Sequence, residues 1–205
     1  MSAARYPIPA GTARVEIRVV NSRFIATAGE AATVEAAKAF IAAVREEMPD
    51  ATHHVFAFRV GYGGSITEGM SDDGEPPGTA GRPTLTVLRG ADLGDIALVT
   101  TRYFGGTKLG TGGLVRAYTQ AAQEVLAALP RGERVEKRQA EIETGYPLYE
   151  RVRRLVEECG GRVIEEEFGA EVRLRVEFAA DEAEAFEGRL REVSAGRVGI
   201  AWRSD

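Results

Sequence analysis

Residues 96–118 read IALVTTRYFGGTKLGTGGLVRAY and join an apolar segment to a helical one through glycines. Residues 96–101 are apolar and β-branched, which predicts a strand buried on both faces. From Gly113 onward the sequence LVRAYTQAAQEVLAAL has its apolar residues at helical spacing and predicts an amphipathic helix. We therefore expect the first half of the chain to contain a central unit of a strand, a glycine-rich loop and a helix, in this order.

Glycine is concentrated in two windows, residues 61–83 (GYGGSITEGMSDDGEPPGTAGRP) and residues 100–118. Together the windows hold 12 of the 24 glycines, so the backbone there is expected to adopt positive φ or to approach another group closely. Acidic and basic residues are interspersed with these glycines. We therefore interpret both windows as parts of a polar binding surface.

The order of predicted elements indicates an α+β protein with two domains, residues 1–131 and 132–205. The second domain reads βαββαβ, which is the ferredoxin-like split pattern. Residues 1–132 are neutral overall, whereas residues 133–205 carry the whole net charge of -5. This asymmetry supports two domains with different surfaces and argues against a uniformly basic protein that coats nucleic acid.

Cysteine content and the N-terminal sequence indicate the compartment. Cys159 is the only cysteine, which excludes an internal disulfide and fits a reducing environment. The sequence has no apolar run long enough to cross a membrane, and MSAARYPIPAG lacks the apolar core of a signal peptide. We expect a cytoplasmic protein without a membrane partner, and a monomer.

Three acidic residues, Asp72, Asp73 and Glu75, lie within the first window. One interpretation is an Mg²⁺ site, because hard cations take oxygen ligands. The other is a solvated turn in which these carboxylates order the loop, since Asp-Gly and Pro-Pro are ordinary turn sequences. The spacing is not that of an EF-hand, and apart from Mg²⁺ no cofactor is expected.

The second window contains a candidate anion site at the start of the predicted helix. Gly110, Thr111, Gly112 and Gly113 offer backbone N–H groups, and Lys108 precedes them. Helix N-termini attract phosphate, and glycines allow it to approach closely. Neither a Walker A loop nor a dinucleotide fingerprint is present. A tight strand-to-helix turn without a ligand is the alternative.

Other residues complete the candidate nucleic-acid or phosphate-binding set. Tyr103 and Phe104 stand at a strand end where one of them is expected to be exposed and to stack on a base. His53 and His54 are adjacent on a strand and must face opposite sides, which excludes a shared metal. The candidates for this surface are Arg23, His53, Arg82, Arg102, Tyr103, Phe104, Lys108, Gly110, Thr111, Gly112, Gly113 and Arg116.

Four segments of the chain resemble the YigZ/IMPACT family. They are SRFIA (22–26), ATHHVFAFRVG (51–61), SDDGEPPGTAGRP (71–83) and VTTRYFGGTKLGTGGLVRAY (99–118). Two positions depart from the family pattern: Val55 stands where many members have cysteine, and Pro77 where serine is common. Both departures argue against a thiol or hydroxyl nucleophile there.

The resemblance implies a fold and a class of function. The fold is an N-terminal α/β sandwich similar to a ribosomal protein and to domain four of elongation factor G, followed by a ferredoxin-like domain. The function implied is that of an RNA- or ribosome-associated protein. With the charged glycine windows, we expect it to be non-catalytic, to bind phosphate backbone through both loops and to regulate translation. Two alternatives remain, an Mg²⁺-dependent enzyme acting on a phosphorylated substrate and a protein-binding regulator of a stress response.

Overall fold

The computed structural model describes residues 5–203, which form two compact units that join between Arg134 and Val135. Each unit has its own hydrophobic core. Within this described part of the chain, no helix is long and apolar enough to span a membrane.

In the first unit a five-stranded antiparallel sheet has helices on both faces. Its strands follow the order β2-β3-β6-β4-β5. The strands are β2 (Ala13–Val19), β3 (Ser22–Glu30), β4 (His53–Tyr62), β5 (Ser65–Ser71) and β6 (Ile96–Tyr103). The helices are α1 (Val34–Glu47), α2 (Gly81–Arg89) and α3 (Gly110–Ala128). Strands β1 (Arg5–Pro9) and β7 (Arg131–Val135) pair in a separate two-stranded sheet.

Successive side chains along each strand point to opposite faces of the sheet, so the strands contribute to two hydrophobic clusters. Phe24 and Leu98 are fully buried on the face covered by α2 and α3, where they belong to one cluster with Tyr118. Ile25 and Val99, one residue further along, belong to the cluster beneath α1. Because each fully buried large apolar side chain contributes roughly 1.5–3 kcal/mol, these clusters fix the helices on the sheet.

The first glycine window contains a strand that the sequence interpretation missed. The window was interpreted only as part of a polar binding surface, yet its residues 65–71 form β5 at the edge of the sheet. Gly61, near the end of β4, and Gly63, just after it, adopt φ of 89° and 67°, which lets the chain reverse into β5. Gly69 then gives room to the Phe58 ring, 2.4 Å from where a Cβ would stand. Glycine therefore serves strand packing here as well as turns.

The second unit confirms the ferredoxin-like expectation. Its antiparallel sheet has the order β11-β8-β10-β9, with two helices over one face. The elements are β8 (Lys137–Thr144), α4 (Tyr146–Glu158), β9 (Arg162–Phe168), β10 (Val172–Ala179), α5 (Ala183–Ser194) and β11 (Gly199–Trp202).

Candidate nucleic-acid interface

The two glycine windows meet at one end of the first unit's sheet. Strand β5 ends at Ser71 and leads through residues 72–80 into α2, while β6 ends at Tyr103 and leads through residues 104–109 into α3. Register places Arg102 beside His53 on one side and Phe24 on the other. The ends of β5 and β6 and the starts of β3, β4, α2 and α3 are thus gathered in one region.

A buried ion pair joins the windows. The Arg102 guanidinium lies 2.6 Å from Glu75 Oε1, and the two side chains are 5% and 3% exposed. Tyr118 donates to the same Glu75 oxygen at 2.8 Å, and Arg102 Nη2 donates to Ser22 Oγ at 3.2 Å. Burial and the Glu75 charge raise the pKa of Tyr118 far above its usual value, so its hydroxyl stays a donor.

The position of Arg102 corrects its predicted role. We expected this side chain to contact phosphate, but it is only 4% exposed and its charge is paired with Glu75. Its guanidinium lies over the rings of Phe24 and Phe104, at 5.3 Å and 5.4 Å from their centroids. A cation enclosed in this way stabilises the site from within and is not available to a ligand.

Asp72 acts as the anion at the start of α2. Its carboxylate accepts backbone N–H bonds from Gly78 at 2.8 Å, Ala80 at 3.0 Å and Gly81 at 2.8 Å. Partial burial acts to raise the pKa of Asp72, but these N–H donors outweigh it and lower the pKa. The N-terminus of α2 is therefore already occupied by a carboxylate of the chain.

Asp73 holds the loop to the neighbouring elements. One carboxylate oxygen accepts from Arg45 at 2.5 Å, and the other accepts from the backbone N–H of His54 at 2.6 Å. Across residues 5–203, no group of three or more His, Cys, Asp or Glu side chains is arranged to hold a metal ion. Of the two interpretations of these acids, the geometry supports loop ordering.

The adjacent histidines face opposite sides of β4, as expected. His53 Nδ1 lies 2.8 Å from the carbonyl oxygen of Asp73, and its Nε2 lies 3.9 Å from Glu75 Oε2. His54 Nδ1 lies 3.1 Å from Thr101 Oγ1 on the α1 side. His53 is half-buried and contacts residues 73 and 75, so its role is to hold this loop in place.

His54 should make stability depend on pH. Burial lowers its pKa below the usual 6.5, although the Asp73 charge partly opposes this. The unfolded chain then binds a proton that the folded chain does not, so the free energy of unfolding falls as the pH drops below about 6.5, by at most ~1.4 kcal/mol per pH unit. Denaturant unfolding between pH 7.5 and 5.5 should show a smaller loss for His54→Gln. Equal losses in both proteins would refute this assignment.

The N-terminus of α3 is open, in contrast to that of α2. Leu109 holds its N-cap position without a side-chain cap, and its first turn contains no acidic residue. Lys108, Thr111 and Arg116 are exposed around it. A Cβ added at Gly112 would meet nothing within 4 Å, so packing within the chain does not require glycine there.

The remaining predicted residues differ in their availability. Phe104 is 45% exposed, which agrees with the expectation that one aromatic at this strand end faces outward. The Tyr103 hydroxyl donates to Asp50 at 3.0 Å, and Arg23 lies over the Tyr103 ring while pairing with Glu16 at 3.0 Å. Arg82 is exposed on the first turn of α2 and lines a groove between α2 and α3.

Sequence reasoning missed two members of the buried network, Tyr118 and Ser22. Tyr118 follows Leu114 at helical spacing and was taken only as part of the α3 helix. A buried tyrosine nevertheless needs a hydrogen-bond partner for its hydroxyl, and this requirement was the available clue. Ser22 carried no such pattern, because a serine in a strand-connecting turn is ordinary.

Comparisons with known proteins match both units. Residues 20–126 match the Impact N-terminal domain, and residues 142–197 match a domain of unknown function, DUF1949. The chain is 38% identical over 192 residues to the IMPACT family member YigZ of Escherichia coli, covering 93% of this chain and 94% of YigZ. It is 37% identical over 198 residues to an IMPACT family member of Haemophilus influenzae, covering 96% of each chain.

A more distant relative and a solved structure agree with this result. IMPACT family member YvyE of Bacillus subtilis is 34% identical over 185 residues, covering 90% of this chain and 85% of YvyE. A solved structure described as a hypothetical protein has a TM-score of 0.71 and 36% identity, covering 100% of this chain and 99% of its own. On these matches over nearly its whole length, the chain belongs to the IMPACT family.

Proposed function

We propose that this protein binds RNA, and that its first unit holds the phosphate backbone at the N-terminus of α3. One observation carries the proposal: the N-terminus of α3 has no carboxylate in its first turn, whereas the neighbouring N-terminus of α2 is filled by Asp72. Free N–H groups and the helix dipole together favour an anion. Lys108 and Arg116 add positive charge beside them.

The surroundings of this N-terminus suit a single-stranded nucleic acid. Phe104 presents an exposed ring next to the loop, and stacking on an aromatic side chain contributes ~1–3 kcal/mol per base. The buried Glu75–Arg102 pair fixes the strand end from which the loop departs. A phosphate site and a stacking ring on an ordered loop are the elements of sequence-tolerant RNA binding.

The balance of charge argues for a local site. The first unit is neutral overall, so long-range attraction to a polyanion is weak and affinity must come from a few contacts. Resemblance to ribosomal and elongation-factor domains supports RNA, and ribosomal RNA in particular, as the ligand class.

Binding of a labelled single-stranded 20-nucleotide RNA should weaken steeply with salt. The expected slope of log K against log salt is about -0.7 for each phosphate neutralised, so Lys108→Ala and Arg116→Ala should each reduce its magnitude by about 0.7. Fluorescence anisotropy from 25 to 200 mM salt (roughly the range over which phosphate contacts weaken) measures this.

Lys38→Ala is the matched control, because Lys38 is exposed on α1, which covers the other face of the sheet. It should leave the slope unchanged. Absence of binding to RNA and to purified ribosomes at low salt, or an equal effect of all three substitutions, would disprove the proposal.

A further inference from the structure

A second surface of the first unit is a groove between α2 and α3. It has two overlapping parts with volumes of about 550 Å³ and 350 Å³, and both are lined by Thr86, Val87 and Thr119. One part reaches Arg82 near the start of α2, and the other reaches Arg131 beyond the end of α3. Each volume lies within the range of small-ligand sites, and the shared lining residues make the two parts neighbours along α2 and α3.

The chemistry of the groove differs from that of the RNA site. Val87, Val115 and Leu126 give it an aliphatic floor, and Val115 is 37% exposed there. Among the described residues that line it, none is acidic and none is aromatic. Without a ring on which bases can stack, the groove suits apolar side chains better than nucleotides. Its two charges, Arg82 and Arg131, are both positive.

The length of the groove along α3 suits a helix. Val115 and Ala127 line its two parts and are 12 residues apart on α3, which corresponds to ~18 Å at 1.5 Å per residue. An occupying helix of about 12 residues would span the same distance. Amphipathic helices commonly bind by placing apolar residues at i, i+3 or i+4 and i+7 into such grooves.

We propose that this groove docks an acidic amphipathic helix of a protein partner. The apolar face of that helix covers Val87 and Val115, while carboxylates near its ends meet Arg82 and Arg131. Complementary charge at both ends fixes the direction and register of the helix. The argument for this occupant uses only the lining and charges of the groove, so the inference does not rest on RNA binding.

A displayed library of 14-residue peptides, selected on the full chain, tests the inference. Counter-selection uses Thr119→Arg, which places a long cation inside the groove, and Gln123→Arg in addition in case the first variant does not fold. We expect enriched peptides to be net acidic with apolar residues at helical spacing. Measured by fluorescence anisotropy, their affinity should fall at least tenfold in Arg131→Glu, and should change less than twofold in Arg154→Glu, which reverses an exposed charge on α4.

Three results would overturn the inference. The first is that no selected peptide loses affinity in the groove variants, or that the enriched peptides are basic. The second is that Arg131→Glu weakens RNA binding as much as peptide binding, which would make the groove part of the RNA surface. The third is that Thr119→Arg converts a dimer into a monomer in sedimentation, which would identify a second copy of the chain as the occupant.

Discussion

Replacing Glu75 by glutamine is expected to lower the free energy of unfolding of the first unit by about 3–5 kcal/mol, because the buried Arg102 charge loses its partner. Glutamine keeps the shape of the side chain, so the loss reports the charge and not a cavity. Water cannot replace Glu75 as the partner of the Arg102 charge, because the side chains of Arg102 and Glu75 are at most 5% exposed. Denaturant unfolding of the full chain, followed by a probe in the first unit, measures the effect.

Glu16→Gln provides the matched control. Glu16 pairs with Arg23 at 3.0 Å, but these side chains are 37% and 44% exposed, far more than those of the Glu75–Arg102 pair. Solvent screens such pairs, so the control is expected to change stability little. Equal stability of the two variants would mean that the buried pair does not hold the windows together.

Replacing Gly105 by alanine should be the second large effect. A Cβ at this position would stand 1.9 Å from the backbone oxygen of Asn21, so the loop after β6 could no longer lie against the β2–β3 turn. Overpacking of this kind costs roughly 1–3 kcal/mol and sometimes more. We also expect RNA affinity to fall, because the displaced loop leads directly into α3.

Gly106→Ala separates this clash from backbone strain. Gly106 has φ of 81° and nothing within 4 Å of its added Cβ, so only the left-handed conformation is penalised, by ~1 kcal/mol. Thermal unfolding and RNA anisotropy of both variants provide the comparison. If Gly105→Ala is no more harmful than Gly106→Ala, the close approach to Asn21 is not required.

The arrangement of strands and helices was largely predictable, because it depends on local patterns. Periodicity identified α3 and the buried strand β6, and the βαββαβ order identified the second unit. The strand β5 was missed because it lies among glycines that are typical of loops, and its one glycine, Gly69, is needed only once Phe58 lies against it. Contacts between segments distant in sequence are not visible in a local pattern.

The candidate site was predictable in place but not in role. The loops after β5 and β6, one from each glycine window, do lie at one end of the sheet, but the sequence could not show which cations are exposed. Arg102 and Lys108 are both cations within the second window, yet Arg102 is buried and paired with Glu75, whereas Lys108 is exposed. Similarly, the sequence left open whether Asp72 binds Mg²⁺ or orders the loop, and its three backbone N–H partners favour loop ordering. The role of each side chain depends on its contacts with residues distant in sequence, and composition does not reveal those contacts.

The most direct test of RNA binding at α3 compares Gly112→Ala with Gly188→Ala. Both glycines lie in helices, Gly112 in α3 and Gly188 in α5, and an added Cβ meets nothing within 4 Å at either position. Each substitution should therefore stabilise the protein, by about 0.5–1 kcal/mol. Only Gly112→Ala should weaken RNA binding, by about tenfold, which corresponds to the loss of one charge-assisted hydrogen bond. If Gly112→Ala is stabilised and binds RNA as tightly as Gly188→Ala, then the N-terminus of α3 does not hold phosphate.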